Sequence, residues 1–260
     1  MTTPSASPVR FPSGVSTDYP WGPLAGMGMP NPFFYHLFQD DFDYLDTQLY
    51  TATKTGAGTI ANAAGDGGQL LFTAAASSAA ICELQVTTAD FTLPTPTLPK
   101  KLFFLTRVQL SDTTNCELFA GIVNSTTTVA GITDGIYFQK PSGGTTMNLI
   151  VISGSTVQAT IAIPTAVLTL YLAAATWIDL AFEVTRKGEV VIYVGYPLVG
   201  WVPASAWTSS TQPPPLGIVA RQTPAVTLTT VNLAPMLLLR TGNSTAVTMS
   251  ADFLMASKDR

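Results

Sequence analysis

Charge is scarce in this sequence: Asp, Glu, Lys and Arg make up 11% of 260 residues, against roughly 25% in an ordinary soluble domain. Such a surface must be covered by Thr, Ser, Asn, Gln and Gly, or must face other subunits. The net charge is -4, the pI is near 4.8 and no basic stripe is present. The electrostatic footprint of nucleic-acid binding is therefore missing, and no nucleic-acid partner is expected. Histidine occurs once, at His36. A Ser-His-Asp or Cys-His relay would have to be built on that residue, which lies in irregular sequence without a G-x-S-x-G motif nearby. A hydrogen-bonded or interface histidine is expected instead.

Other absences narrow the class further. Cys82 and Cys116 are the only cysteines; each sits in a strand-like segment, which suits buried free thiols better than a disulfide framework and leaves a single bridge open. No phosphate loop, dinucleotide fingerprint or zinc spacing occurs, so no cofactor is expected. The most apolar region, 161–175, is broken by Pro164 and two threonines, so no membrane span is expected. The start, M-T-T-P-S-A-S, lacks the charged and apolar regions of a signal peptide, and ordinary export is not expected.

What is present divides into two parts. Residues 1–37 carry prolines at 4, 8, 12, 20, 23, 30 and 32 and show no apolar period, so they form neither helix nor sheet core and are read as an extended arm. The arm is too apolar for an inert linker: Phe11, Tyr19, Trp21, Phe33, Phe34 and Tyr35 need a surface to bury them. That surface is either the chain's own sandwich or a neighbouring subunit, and these six residues are the candidate partner contacts. Residues 38–260 read as one β-domain. Strands are predicted over 69–73, 81–86, 101–110 (with Phe103, Leu105 and Val108 turned inward), 117–123, 136–139, 147–152, 157–163, 216–220, 227–230, 235–240 and 247–255. The clearest element is W-I-D-L-A-F-E-V-T-R-K-G-E-V-V-I-Y-V at 177–194, a hairpin whose Ile178, Leu180, Phe182 and Val184 face the core and whose turn holds Gly188. No helix is predicted. Many short strands with glycine and proline turns indicate two packed antiparallel sheets.

Three stretches carry a family resemblance: D-D-F-D-Y-L at 40–45 with the following G-A-G-T and G-D-G-G-Q-L-L; I-T-D-G-I-Y-F-Q-K at 132–140; and the 177–195 hairpin. They resemble the concanavalin A-like (laminin-G-like) jelly rolls of tailed-bacteriophage structural proteins, over about residues 38–255. The resemblance implies an all-β antiparallel sandwich, with Ser250–Met255 returning beside Phe38–Leu45. It also implies a non-enzymatic capsid decoration or cement protein on the virion exterior, partnered by the major capsid protein and by copies of itself in a homo-oligomer.

The same fold houses glycosidases, so the acids need inspection. Asp179 and Glu183 are the best match to an E-x-D-x-x-E strand, but Ala181 fills the middle position. Four extended residues separate the outer pair by roughly 13 Å, beyond the ~5–9.5 Å that glycosidases use. They are read as a solvated strand face, and no catalytic residue is assigned. Asp40, Asp41, Asp43 and Asp46 lack the spacing of a calcium loop and are read as an acidic entry to the first strand, so no metal ligand is assigned. Trp201 and Trp207 frame a proline-rich loop at 203–215 and could stack on sugars or fill a neighbour's pocket. The alternative to capsid decoration is thus a carbohydrate-binding module of a tail fibre or adhesin, with a glycoside hydrolase third.

Overall fold

Fifteen strands, one short α-helix and one 3-10 turn form two antiparallel sheets in the computed structural model, which describes residues 35–63, 68–94, 100–126, 128–195, 217–222, 228 and 230–260. In chain order the strands are β1 (Tyr35–Asp40), β2 (Tyr50–Lys54), β3 (Thr59–Ala63), β4 (Gln69–Ala74), β5 (Ile81–Val86), β6 (Leu102–Leu110), β7 (Cys116–Val123), β8 (Gly135–Lys140), β9 (Asn148–Ser153) and β10 (Thr156–Ala162). Helix α1 (Thr165–Tyr171) follows, then β11 (Trp177–Val184), β12 (Val190–Gly195), β13 (Gly217–Gln222), β14 (Ala234–Thr241) and β15 (Val247–Asp259). The first sheet runs β13-β12-β11-β6-β15-β4-β3, with β1 also paired to β15; the second runs β10-β9-β8-β7-β14-β5-β2. This is the concanavalin A-like sandwich expected from the sequence.

The hairpin forms as its residues dictate. β11 pairs with β12 from Asp179↔Gly195 to Val184↔Val190, and Gly188 takes φ +77°, a conformation that costs glycine nothing. Ile178, Leu180, Phe182 and Val184 enter the main core between the sheets, with the Phe182 ring stacked on Phe104 at 5.2 Å. The first strand meets the last: β1 pairs antiparallel with β15 from Tyr35↔Asp259 to Asp40↔Leu254. Tyr35, placed in the arm by its sequence, therefore begins the sheet, and residues 41–45 lie beyond the pairing rather than within it.

Two features differ from expectation. Phe103 and Leu105 face away from the core, while Leu102, Phe104, Val108 and Leu110 face into it. Both faces of β6 are buried, so its sequence is apolar at successive positions and the period-2 signal that fixes parity disappears. The second is α1, where Pro164 is the residue preceding the first turn and Leu168 and Tyr171 are buried; seven residues, about two turns, are too few to show a helical period. Cys82 and Cys116 are buried free thiols. They lie on β5 and β7 with β14 between them, and two strand spacings of ~4.8 Å exceed the reach of a disulfide.

Candidate functional site

Each sheet also has an outer face, and both outer faces carry polar groups among buried apolar ones. On the first sheet, Asp179 stands opposite Arg107 and Glu183 opposite Phe103. Arg107 donates from Nε to Asp179 Oδ1 at 2.7 Å, from Nη2 to Asp179 Oδ2 at 3.3 Å and from Nη1 to Asp252 Oδ2 at 3.1 Å. Its guanidinium also lies 5.3 Å from the centre of the Phe253 ring. Glu183 is paired with Lys101 at 3.0 Å and accepts from the Tyr193 hydroxyl at 3.1 Å. The expected solvated face is therefore corrected: Asp179 and Glu183 are each 7% exposed, and each is neutralised by a cation. Burial pushes the Asp179 carboxyl above its usual range, with Arg107 opposing.

The second sheet's outer face is built differently. On β5, Cys82 and Leu84 enter the core, so Glu83 and Gln85 point outward. Register places Thr53 and Leu238 on either side of Glu83, and Thr51 and Met236 on either side of Gln85. Beyond β14 the floor continues with Phe119, Tyr137 and Ile150. Gln85 donates to the Asn124 carbonyl at 3.0 Å and accepts from the Thr126 amide at 3.1 Å, tying the β7–β8 loop to this face. Val129 and Ile132 of that loop join the same apolar cluster, so the loop walls one end.

Within this frame Glu83 is anomalous. It is 1% exposed, and its two carboxyl oxygens are the buried side-chain atoms without a hydrogen-bond partner among the described residues. Arg240, diagonal to it in the register, is committed to Glu117 through Nε and Nη2. Burial alone raises the Glu83 carboxyl to about 7. Nearly all buried polar groups in folded proteins have a partner, so an orphaned carboxyl marks a place where a donor is wanted. Around it, Thr51 is exposed, and Thr53, Arg240 and Gln139 are half-buried, so the polar rim reaches solvent.

The remaining sequence candidates have structural assignments. Asp40 caps the Phe42 amide at 2.8 Å and accepts from the Tyr50 hydroxyl at 2.6 Å; Asp46 accepts from the Gln48 amide at 2.8 Å. These acids therefore organise a corner, which Asn62 clamps from β3 by donating to the Phe42 carbonyl and accepting from the Leu45 amide. No cluster of three or more His, Cys, Asp or Glu side chains suited to a metal occurs among the described residues. His36 lies on β1 with its ring 4.9 Å from that of Phe91, and burial, reinforced by Lys258, lowers its pKa. Phe11, Tyr19, Trp21, Phe33, Phe34, Trp201 and Trp207 lie outside the described residues; Tyr35 packs against the outer face of the first sheet.

Glu83, Gln85, Arg107 and Glu117 were not singled out by sequence. Isolated polar residues alternating with apolar ones in a strand look like a solvated face, and only the sheet register shows what surrounds them.

No family model matches the sequence, and no curated protein matches it. Solved structures do match in fold. A protein of unknown function from Shewanella oneidensis MR-1 superimposes with a TM-score of 0.54 at 11% identity, covering 87% of each chain. An endo-1,3-beta-glucanase from Streptomyces sioyaensis gives 0.54 at 12% identity, covering 86% of this chain and 96% of its own. Peanut lectin in complex with a nine-residue peptide gives 0.54 at 8% identity, covering 86% and 97%. The expectation of a virion cement or decoration protein on a bacteriophage capsid is overturned by these matches, which join the fold to a glucanase and a lectin and not to capsid proteins. The sequence motifs behind that expectation were turns and core patterns, which report a fold and carry no role. At such identities the likeness establishes the concanavalin A-like sandwich and nothing finer.

Proposed function

We propose that this protein binds carbohydrate through the outer face of its second sheet, without cleaving it. The observation that carries the reading is Glu83, a buried acceptor without a donor, set beside Gln85, Thr51 and Thr53 and above a floor containing Phe119 and Tyr137. A sugar hydroxyl offers what the Glu83 carboxyl lacks, a donor, and the solvent-facing Thr51 and Thr53 give further hydroxyls a partner, while Phe119 and Tyr137 form the buried floor beneath. The fold shared with peanut lectin and a glucanase makes a neutral oligosaccharide the first ligand class to test.

Binding is favoured over hydrolysis by the placement of the acids. Glu117 is held by Arg240, and register sets it two strands and two residues away from Glu83. That offset corresponds to about 12 Å between the backbones, whereas retaining glycosidases hold their carboxyls ~5–5.5 Å apart. On the first sheet, Asp179 and Glu183 are each paired with a cation.

A glycan array followed by calorimetry on the whole chain tests this. The wild type should bind a defined oligosaccharide, and Glu83→Leu should weaken that binding by about tenfold or more, the worth of a hydrogen bond to a charged group. Unchanged affinity in Glu83→Leu, combined with loss in Trp207→Ala, would move the site to the proline-rich loop. Release of reducing sugar from the bound glycan would overturn the non-enzymatic reading.

A further inference from the structure

We propose that the N-terminal 34 residues dock in cis across the outer face of the first sheet, so that the arm forms a third layer of its own sandwich. This rests on a different face from the carbohydrate proposal and is independent of it.

The argument begins with an apolar surface on the side of a sheet where water would be expected. Phe103 and Leu105 on β6, Ala181 on β11, Val191 and Tyr193 on β12, and Phe253 and Met255 on β15 form one cluster. Phe103 and Ala181 are 0% exposed and no member exceeds 8%. Yet the described elements in more than glancing contact with these strands are their sheet neighbours, strands of the opposite sheet and α1, whose buried residues belong to the main core. Left open, such a contiguous apolar cluster would be the kind of patch that marks an interaction surface. Among the described residues, Arg107 lies over the Phe253 ring and Tyr35 packs against the cluster; the rest of the cover is what the arm would supply.

The arm meets the requirements for that cover. The first described residue, Tyr35, itself packs against the cluster, so the arm leaves the sheet at the border of this patch. The 34 residues before it include Phe11, Tyr19, Trp21, Leu24, Met27, Met29, Phe33 and Phe34, but only Arg10 and Asp18 carry charge. Extended, they reach at most about 110 Å, several times the width of four strands at ~4.8 Å spacing. Their prolines remove backbone donors that a buried covering segment would otherwise have to satisfy. Tethering raises the effective concentration of the arm at this face into the millimolar range, which favours its own sheet over that of a second copy.

A photocrosslinker in the full chain reads the occupant directly. p-Benzoylphenylalanine would be placed at Phe253 and, in a second variant, at the exposed Leu37 on the same face, where substitution spares the core. After irradiation of a mixture of light and heavy-isotope protein, the expected result is a dominant adduct whose mass shift corresponds to a light–light or heavy–heavy link into a peptide from residues 1–34. Adducts to residues 196–216 in place of the arm would overturn the proposal by assigning the cover to the proline-rich loop. Light–heavy adducts would overturn it in favour of an arm exchanged between copies. Absence of any arm adduct from both positions, with each variant folded by circular dichroism, would also overturn it.

Discussion

Arg107 and Asp179 stand directly opposite each other on neighbouring strands and are joined by two parallel N–H···O bonds, at 2.7 and 3.3 Å. Asp179 is 7% exposed, and the same guanidinium also reaches Asp252. Removing the arginine strands the Asp179 carboxylate in a poorly hydrated place. Arg107→Met should therefore destabilise the protein by about 3–5 kcal/mol, while Arg107→Met combined with Asp179→Leu should recover most of that loss. Urea denaturation of the wild type, both single variants and the double variant measures the coupling; additive losses would show that the pair does not act as a unit.

Glu83 should make stability fall as pH rises. Its carboxyl titrates at about 7 in the folded chain against an ordinary 4.5, so between those values the folded state holds a proton that the unfolded state has released. The folded state then binds more protons, and stability decreases with increasing pH across that window, levelling off above it. Glu83→Gln should flatten this dependence and be the more stable form at pH 8. Denaturation midpoints at pH 4.5, 6 and 8 test the sign, and a wild type that gains stability relative to Glu83→Gln on going to pH 8 would contradict it.

Lys140 illustrates a cation that the core accommodates by hydrogen bonding. It is 0% exposed, and Nζ donates to the carbonyls of Cys116 at 2.8 Å and Pro141 at 2.9 Å; burial lowers its pKa. Lys140→Met keeps the stem but leaves two carbonyls without their donor, and should cost about 1–3 kcal/mol. Thermal unfolding measures this. A Met variant as stable as the wild type would mean that water replaces the ammonium.

How much of this was legible in the sequence depends on whether a residue's role is set locally. The 177–195 hairpin could be read because alternation in β11 and a glycine at the turn are local signals, and both hold. β6 could not, since L-F-F-L presents apolar groups to both faces and either parity looks alike. Tyr50–Lys54 and Thr59–Ala63, which form β2 and β3, were missed because their burial is weak and their composition small and polar. The Arg107–Asp179 pair joins residues 72 positions apart, and Glu83 is unusual only for what does not surround it. Neither fact exists until the strands are in register.

Gly121 is a position where the same register makes a specific demand. It lies on β7 opposite Tyr137 of β8, and a Cβ built there would come 2.6 Å from Tyr137 Cβ and closer still to the carbonyl of Ile136 and the Tyr137 Cα. Two of these three obstacles are backbone, which cannot turn aside as a side chain can. Gly121→Ala should therefore destabilise by about 1–3 kcal/mol through strand separation, and Tyr137→Ala in the same chain should not restore the loss. Were the double variant to regain the stability of Tyr137→Ala alone, the constraint would belong to the tyrosine ring and not to the approach of the two strands. Because Tyr137 also floors the proposed sugar face, the glycan affinity of folded Gly121→Ala protein provides a second readout: pushing β8 away from β7 should weaken binding even at temperatures where the variant remains folded.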